Sequence, residues 1–116
     1  MIDKLEAVEA RYDELLALIA DPAVQADAAK YREHAKAISD LEPLIEKYRE
    51  FKSVDRQIQE AQELARGGDA EMAALAREEL RTLEPRRESL LEELKVLLLP
   101  KDPNDEKNVI LEIRAG

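Results

Sequence analysis

Few side chains in this sequence could serve as a nucleophile or a base in catalysis. The hydroxyl candidates are Ser39, Ser53, Thr82 and Ser89, the one histidine is His34, and there is no cysteine. Nucleophilic catalysis needs a hydroxyl or thiol beside a base that a third group orients. The serines fall in stretches with helical periodicity, and His34 adjoins an apolar stripe, where a solvated or boundary histidine is expected. The sequence therefore predicts no catalytic residue.

Carboxylates are abundant, but their spacing does not favour acid and base catalysis. Glu78-Glu79 and Glu92-Glu93 are adjacent pairs, and neighbouring residues on a helix diverge by about 100°, so the pairs do not converge on a substrate. A single histidine without cysteine cannot form the nitrogen and sulfur clusters that bind zinc. We expect a solvated acidic face, with no metal and no cofactor.

Two further motifs could suggest phosphate or nucleic-acid binding. Gly67-Gly68 is followed by Asp69, which would repel a phosphate, so a turn between helices is the better interpretation. A cluster of arginines is interleaved with glutamates and lacks the aromatic residues on which bases stack. It consists of Arg77, Arg81, Arg86 and Arg87. We expect no direct sequence-specific nucleic-acid binding.

The composition indicates one helical module. The 116 residues are 39% charged and 3% aromatic, and they include three glycines and five prolines, too few turn formers for an all-β domain. With 27 acidic against 18 basic residues, the net charge of −9 disfavours a surface that grips phosphate backbones. The start shows no basic, apolar leader and no apolar run nears the ~20 residues of a membrane span, so a cytoplasmic protein is expected.

Apolar residues recur every three or four positions in three stretches, which predicts three helices. The first covers 2–20 and ends at Asp21-Pro22, because the residue before a proline avoids helical geometry. The second covers 28–66 and the third 70–98, capped by Asp27 and Asp69 respectively. We expect Gly67 to end the second helix in a left-handed conformation.

Each long helix contains a proline, Pro43 or Pro85, where a kink or a break is expected. Because each apolar stripe must be buried against another, the stripes predict an all-α fold, either a three-helix antiparallel bundle or a long kinked helical hairpin. The predicted core consists of Leu15, Leu16, Ile38, Leu41, Ile45, Leu90, Leu94 and Leu97.

After residue 99 the sequence changes character. The stretch 100–107 is dense in turn formers and predicts a linker. The last residues, 108–116, alternate β-branched and polar side chains, with Val109, Leu111 and Ile113 on one face. A strand without a sheet leaves its backbone unpaired, so this segment is interpreted as the first strand of a further, truncated domain.

The same stretch carries a resemblance to a known family. Residues 97–116 read Leu-Leu-Leu-Pro-Lys-Asp-Pro-Asn-Asp-Glu-Lys-Asn-Val-Ile-Leu-Glu-Ile-Arg-Ala-Gly and resemble the bacterial class-I peptide chain release factors of the type that reads UAA and UAG. Further matches, in the same order, are Met1-Ile2-Asp3-Lys4-Leu5-Glu6, Arg11-Tyr12, Leu41-Glu42-Pro43 and Tyr48-Arg49-Glu50. Ala28 departs from the family, whose members often have a proline after the aspartate.

The resemblance implies that residues 1–99 are the family's N-terminal helical domain and that 108–116 open its central domain. In the family, a Pro-Xaa-Thr tripeptide reads the stop codon and a Gly-Gly-Gln tripeptide promotes peptidyl-tRNA hydrolysis. Neither tripeptide occurs in these 116 residues, so the chain is expected to be no enzyme by itself. The implied partners of the domain are the stalk base of the large ribosomal subunit and the class-II release GTPase.

A different class of function remains open from the residues alone. Leucines at 80, 83, 90, 94 and 97 fall on heptad positions of the third helix and could join two chains as a self-associating scaffold or homodimer. Arg87 occupies one of the same positions, where a dimer seam would have to bury its charge.

Overall fold

The computed structural model describes residues 1–99, and all regular secondary structure among them is helical. The helices are α1 (Ile2–Ile19), α2 (Pro22–Gln25), α3 (Ala28–Ala65) and α4 (Ala70–Leu98). The all-α prediction is confirmed for this part of the chain, and the three long helices end within one residue of the predicted bounds. The predicted linker and strand, 100–107 and 108–116, lie outside the described residues.

Aspartate caps fix where the helices begin. Asp27 accepts a hydrogen bond from the backbone N–H of Lys30 at 3.2 Å, and Asp69 accepts from Glu71 and Met72 at 3.0 and 3.1 Å. The short α2 was not predicted. It forms because Pro22, at the first helical position, gives up an N–H that would have no partner there anyway.

The expectation of a left-handed glycine after α3 is wrong. The helix ends at Arg66 with φ −92° and ψ −5°, and neither Gly67 nor Gly68 has a positive φ. The turn is tight, since a Cβ atom on Gly67 would lie 3.3 Å from the carbonyl oxygen of Leu64, close enough that this oxygen would have to shift slightly. That oxygen accepts the N–H of Gly67 at 3.1 Å, and the close approach closes the turn.

Both internal prolines lie within continuous helices. Pro43 is inside α3 and Pro85 inside α4, and both side chains are on exposed positions. A proline removes its own N–H and frees the carbonyl four residues earlier. The freed carbonyls belong to exposed residues, Ser39 and Arg81, so the helices are not broken there.

Helix α3 is the centre of the packing. It contacts α1, α2 and α4, whereas the backbones of α1 and α4 make no close approach to each other in the described part. The pairing of α3 with α4 is antiparallel, because Lys47 contacts Glu93 near one end and Asp55 contacts Arg87 further along. No helix in residues 1–99 is long and apolar enough to span a membrane.

The core runs along α3 and is filled from both sides. One connected cluster consists of Leu5, Leu44, Tyr48, Phe51, Val54, Ile58, Leu90 and Leu94, and the other buried apolar residues are Leu15, Val24, Ile38, Ile45, Ala61, Ala73 and Ala76. Among the predicted core residues, Leu15, Ile38, Ile45, Leu90 and Leu94 are buried and Leu41 is half-buried.

The prediction that Leu16 and Leu97 are buried in the core is wrong. Leu16 is 40% exposed and Leu97 is 43% exposed. Helix α1 has one long helix to pack on, so its buried stripe is narrow, and Leu16 lies about 100° around the helix from Leu15. Leu97 lies near the last turn of α4, where it lines an open groove beside Pro43.

Candidate interaction surface

The structure does not bring the candidate catalytic residues together. Ser39, Ser53 and His34 are on α3 and Thr82 and Ser89 are on α4, with no hydrogen bond between any two of these side chains in residues 1–99. Ser39, Thr82 and Ser89 are exposed and the other two are half-buried. The described residues hold no group of three or more His, Cys, Asp or Glu side chains placed to bind a metal.

The arginine cluster of α4 is largely neutralised by carboxylates. Arg81 donates to Glu78 at 3.1 Å, and Arg86 pairs with Glu50 across the helix interface. These pairs are exposed to solvent, so the carboxylates compete with any external anion for the two guanidinium groups.

Arg87 is a structural residue of the α3–α4 interface. Its Nε donates to Oδ1 of Asp55 at 2.8 Å, and its guanidinium lies 5.1 Å from the ring centroid of Phe51. The heptad leucines beside it face α3 as well, since Leu80 and Leu83 pack on the core and Leu90 and Leu94 belong to it. Four of the five heptad leucines are therefore packed within one chain, and Leu97 is exposed.

A polar cluster centred on Glu9 joins α1 to α3, and we call it the Glu9 clasp. Glu9 accepts from Nζ of Lys52 at 2.7 Å and from Nε of Arg49 at 2.9 Å. Beside it, the hydroxyl of Tyr48 donates to Glu6 at 3.0 Å. These bonds connect residues about forty positions apart, so no local sequence pattern predicted them.

The clasp changes the acidity of its members. Hydrogen bonds from Lys52 and Arg49 lower the pKa of Glu9, since they favour its charged form. Burial, with the hydrogen bond to Glu6, raises the pKa of Tyr48 to about 12. These are properties of a structural contact, because Glu9 is kept ionised and Tyr48 is kept neutral over the ordinary pH range.

Exposed apolar side chains gather at the turn between α3 and α4. This hairpin-end patch consists of Leu64 on α3 and Met72 and Leu75 on α4, of which Leu75 is 62% exposed. Its surroundings are charged, with Glu63 and Glu71 adjacent in sequence to patch residues and Arg66 and Arg77 two residues away. Apolar surface with a polar rim is typical of a protein–protein contact.

A second apolar surface lies at the opposite end of the hairpin. This hairpin-base groove, of about 500 Å³, is lined by Pro43, Glu46, Lys47, Glu92, Glu93, Val96 and Leu97. Val96 is 65% exposed. The described residues thus offer two apolar surfaces, one at each end of α4.

Comparison with known proteins identifies the family. The PCRF domain model matches residues 8–116. Peptide chain release factor 1 of Acidobacterium capsulatum is 50% identical over 116 residues, which is all of this chain and 32% of that protein. Peptide chain release factor 1 of Geobacillus kaustophilus is 52% identical over 117 aligned residues, again all of this chain and 33% of that protein. No solved structure matches.

The chain spans about a third of the length of the curated relatives that it matches. The resemblance seen in residues 97–116 thus extends over the whole sequence. By the domain match and the shared identity, the chain belongs to the PCRF-domain family of bacterial peptide chain release factors.

Proposed function

We propose that this chain is the N-terminal domain of a translation termination factor that recognises UAA and UAG and promotes peptidyl-tRNA hydrolysis. The observation that carries the proposal is about 50% identity over the entire chain to proteins named peptide chain release factor 1. The codon choice rests on the Leu-Leu-Pro-Lys-Asp-Pro-Asn-Asp signature at 98–105, which the sister type that reads UAA and UGA typically lacks. Codon reading and hydrolysis are assigned to parts of the protein beyond these residues.

The test uses ribosomes that carry a labelled peptidyl-tRNA and a defined stop codon. The complete factor that contains this chain is expected to release the peptide at UAA and UAG but not at UGA. The 116-residue chain alone is expected to release nothing at any codon, because it lacks both functional tripeptides. Release at UGA by the complete factor would contradict the codon assignment. Release by the chain alone would contradict the assignment of codon reading and hydrolysis to other parts of the protein.

Within such a factor, we assign this domain the contact with the stalk base of the large ribosomal subunit and with the class-II release GTPase, in the cytoplasm. The hairpin-end patch supports a protein contact. Leu64, Met72 and Leu75 are exposed, and the net charge of −9 disfavours a phosphate backbone as the direct partner. The patch and Leu99 lie at opposite ends of α4. An arm that projects from the rest of the factor would make its contact at the end that carries the patch.

Leu75→Asp is expected to weaken binding of the chain to large ribosomal subunits about tenfold, since it places a charge in the contact. Binding is measured by co-sedimentation at several ribosome concentrations. Val96→Asp is the matched control, because Leu75 and Val96 are 62% and 65% exposed on the same helix. Equal loss of binding in both variants would indicate a general effect of the added negative charge. A larger loss of binding for Val96→Asp would assign the contact to the hairpin-base groove.

A further inference from the structure

Helix α1 is attached to the rest of the molecule differently from α4. It buries two of its side chains, Leu5 and Leu15, whereas α3 buries eight. It packs on α3 and α2 and makes no close backbone contact with α4 in the described residues. Apart from the apolar contacts, its attachment to α3 depends on the Glu9 clasp.

The carboxylate at the centre of the clasp is largely buried and is paired with cations. The Glu9 side chain is 17% exposed and is bonded to two cations of α3, Arg49 and Lys52. Arg49 also reaches Asp13 at 3.4 Å and lies 5.6 Å from the ring centroid of Tyr12, while Lys52 lies over the ring of Tyr48. The contacts of Arg49 join α1 to α3, and the contact between Lys52 and Tyr48 lies beside them on α3.

Helices α1 and α2 are joined to each other as one segment. The side-chain amide of Gln25 donates to the carbonyl of Ile19 at 3.0 Å, and Asp21 caps α2. Val24 is the one residue of α2 that is buried. Residues 2–25 can therefore leave α3 together without breaking a hydrogen bond inside the segment.

We propose that α1 and α2 form a releasable strap: the Glu9 clasp fastens it to α3, and the strap detaches as a unit while the α3–α4 pair stays folded. The α3–α4 pair keeps its own apolar contacts among Phe51, Ile58 and Leu90, together with the Arg87–Asp55 pair. Detachment uncovers the side of α3 that carries Tyr48, an apolar ring flanked by Arg49 and Lys52, and it removes Leu5 from the core cluster that also contains Leu90 and Leu94.

The electrostatic fastening gives the strap a dependence on pH and salt. Because the pKa of Glu9 is lowered on docking, its stabilisation is present above the unfolded value of 4.5 and is lost as pH falls through the lower folded value. The groups that face it are Glu6, Tyr12 and Asp13 on α1 and Tyr48, Arg49 and Lys52 on α3; α2 contributes no titratable side chain. Because docking raises the pKa of Tyr48 from 10.0 to about 12, Tyr48 disfavours docking progressively as pH rises above 10 and through about 12.

The experiment is amide hydrogen exchange of the full chain, followed by mass spectrometry and expressed as protection relative to unstructured peptides. Glu9→Gln is expected to lower the protection of residues 2–19 about tenfold at pH 7 and to leave residues 70–98 unchanged. High salt is expected to do the same in the unsubstituted chain. Acidification to pH 4 should loosen α1 in the unsubstituted chain more than in Glu9→Gln.

Glu14→Gln is the matched control, since Glu14 is on the same helix and pairs with Arg11 of that helix. It removes the same charge without touching α3 and is expected to leave protection unchanged. Equal effects of the two substitutions would overturn the proposal. So would equal loss of protection in all helices, or unfolding of the whole chain by Glu9→Gln in circular dichroism, because the strap would then not be separable.

Discussion

Leu94→Ala is expected to lower the free energy of unfolding by about 2–5 kcal/mol, which is typical of a leucine truncated in a packed core. Leu94 is fully buried and belongs to the cluster that joins α4 to α3. For a domain of this size each kcal/mol corresponds to roughly 4–8 °C in Tm, so the Tm should fall by roughly 8–40 °C. Urea unfolding followed by circular dichroism measures the change.

Leu97→Ala, one turn further along α4, is the matched control. It removes the same atoms from a side chain that is 43% exposed, and we expect a loss below about 1 kcal/mol because much of that surface is already in water. Comparable losses in the two variants would mean that the hairpin base is covered in solution. A loss below 1 kcal/mol for Leu94→Ala would contradict the core described above.

The helices could be predicted because their signals are local. Apolar spacing, Asp27, Asp69 and the turn at Gly67-Gly68 all act within a few residues, and the bounds of α1, α3 and α4 follow from them. The signal for α2, the helix that was missed, is also local. Pro22 was interpreted only as a break, although a proline can begin a helix as well as end one.

The extent of burial could not be predicted in the same way. Periodicity shows which face of a helix is apolar, but the width of the buried stripe depends on how many neighbours the helix has. Leu16 and Leu97 lie on apolar faces of helices that lack a second neighbour at that point, and so they are exposed. Their positions needed the tertiary arrangement.

The polar contacts between helices were beyond sequence reasoning for a similar reason. Charged residues at helical spacing fit many pairings, and only the register of α1 on α3 selects Glu9 for Arg49 and Lys52. The family, by contrast, can be predicted from the order of side chains in residues 97–116 and in the shorter matching stretches earlier in the chain. The family was thus easier to predict from the sequence than the contacts that hold the domain together.

Arg87→Ala is expected to lower the free energy of unfolding by about 1–2 kcal/mol, measured by urea unfolding. The substitution breaks the bond to Asp55 and leaves that carboxylate half-buried without its partner. The value is kept low because both side chains are about a third exposed, 35% and 34%, and water screens the pair. It also removes the stacking of the guanidinium on Phe51.

A double-mutant cycle with Asp55→Ala separates the pair from the stacking. A coupling of about 0.5–1 kcal/mol is expected for the ion pair, and the rest of the loss belongs to Phe51. A coupling near zero would show that Arg87 acts through packing alone.

Arg87→Leu makes the leucine heptad of α4 continuous. The variant therefore tests whether the leucine seam packs within one chain or between two chains. Since Leu80, Leu83 and Leu90 already pack against α3, the added leucine should bury itself in the same interface and the chain should keep its monomer mass in light scattering. In a coiled coil, replacing a charged seam residue with leucine strongly promotes association. A dimer mass for this variant, at concentrations where Leu97→Ala is monomeric, would show that Arg87 is what prevents self-association and would revive the scaffold interpretation.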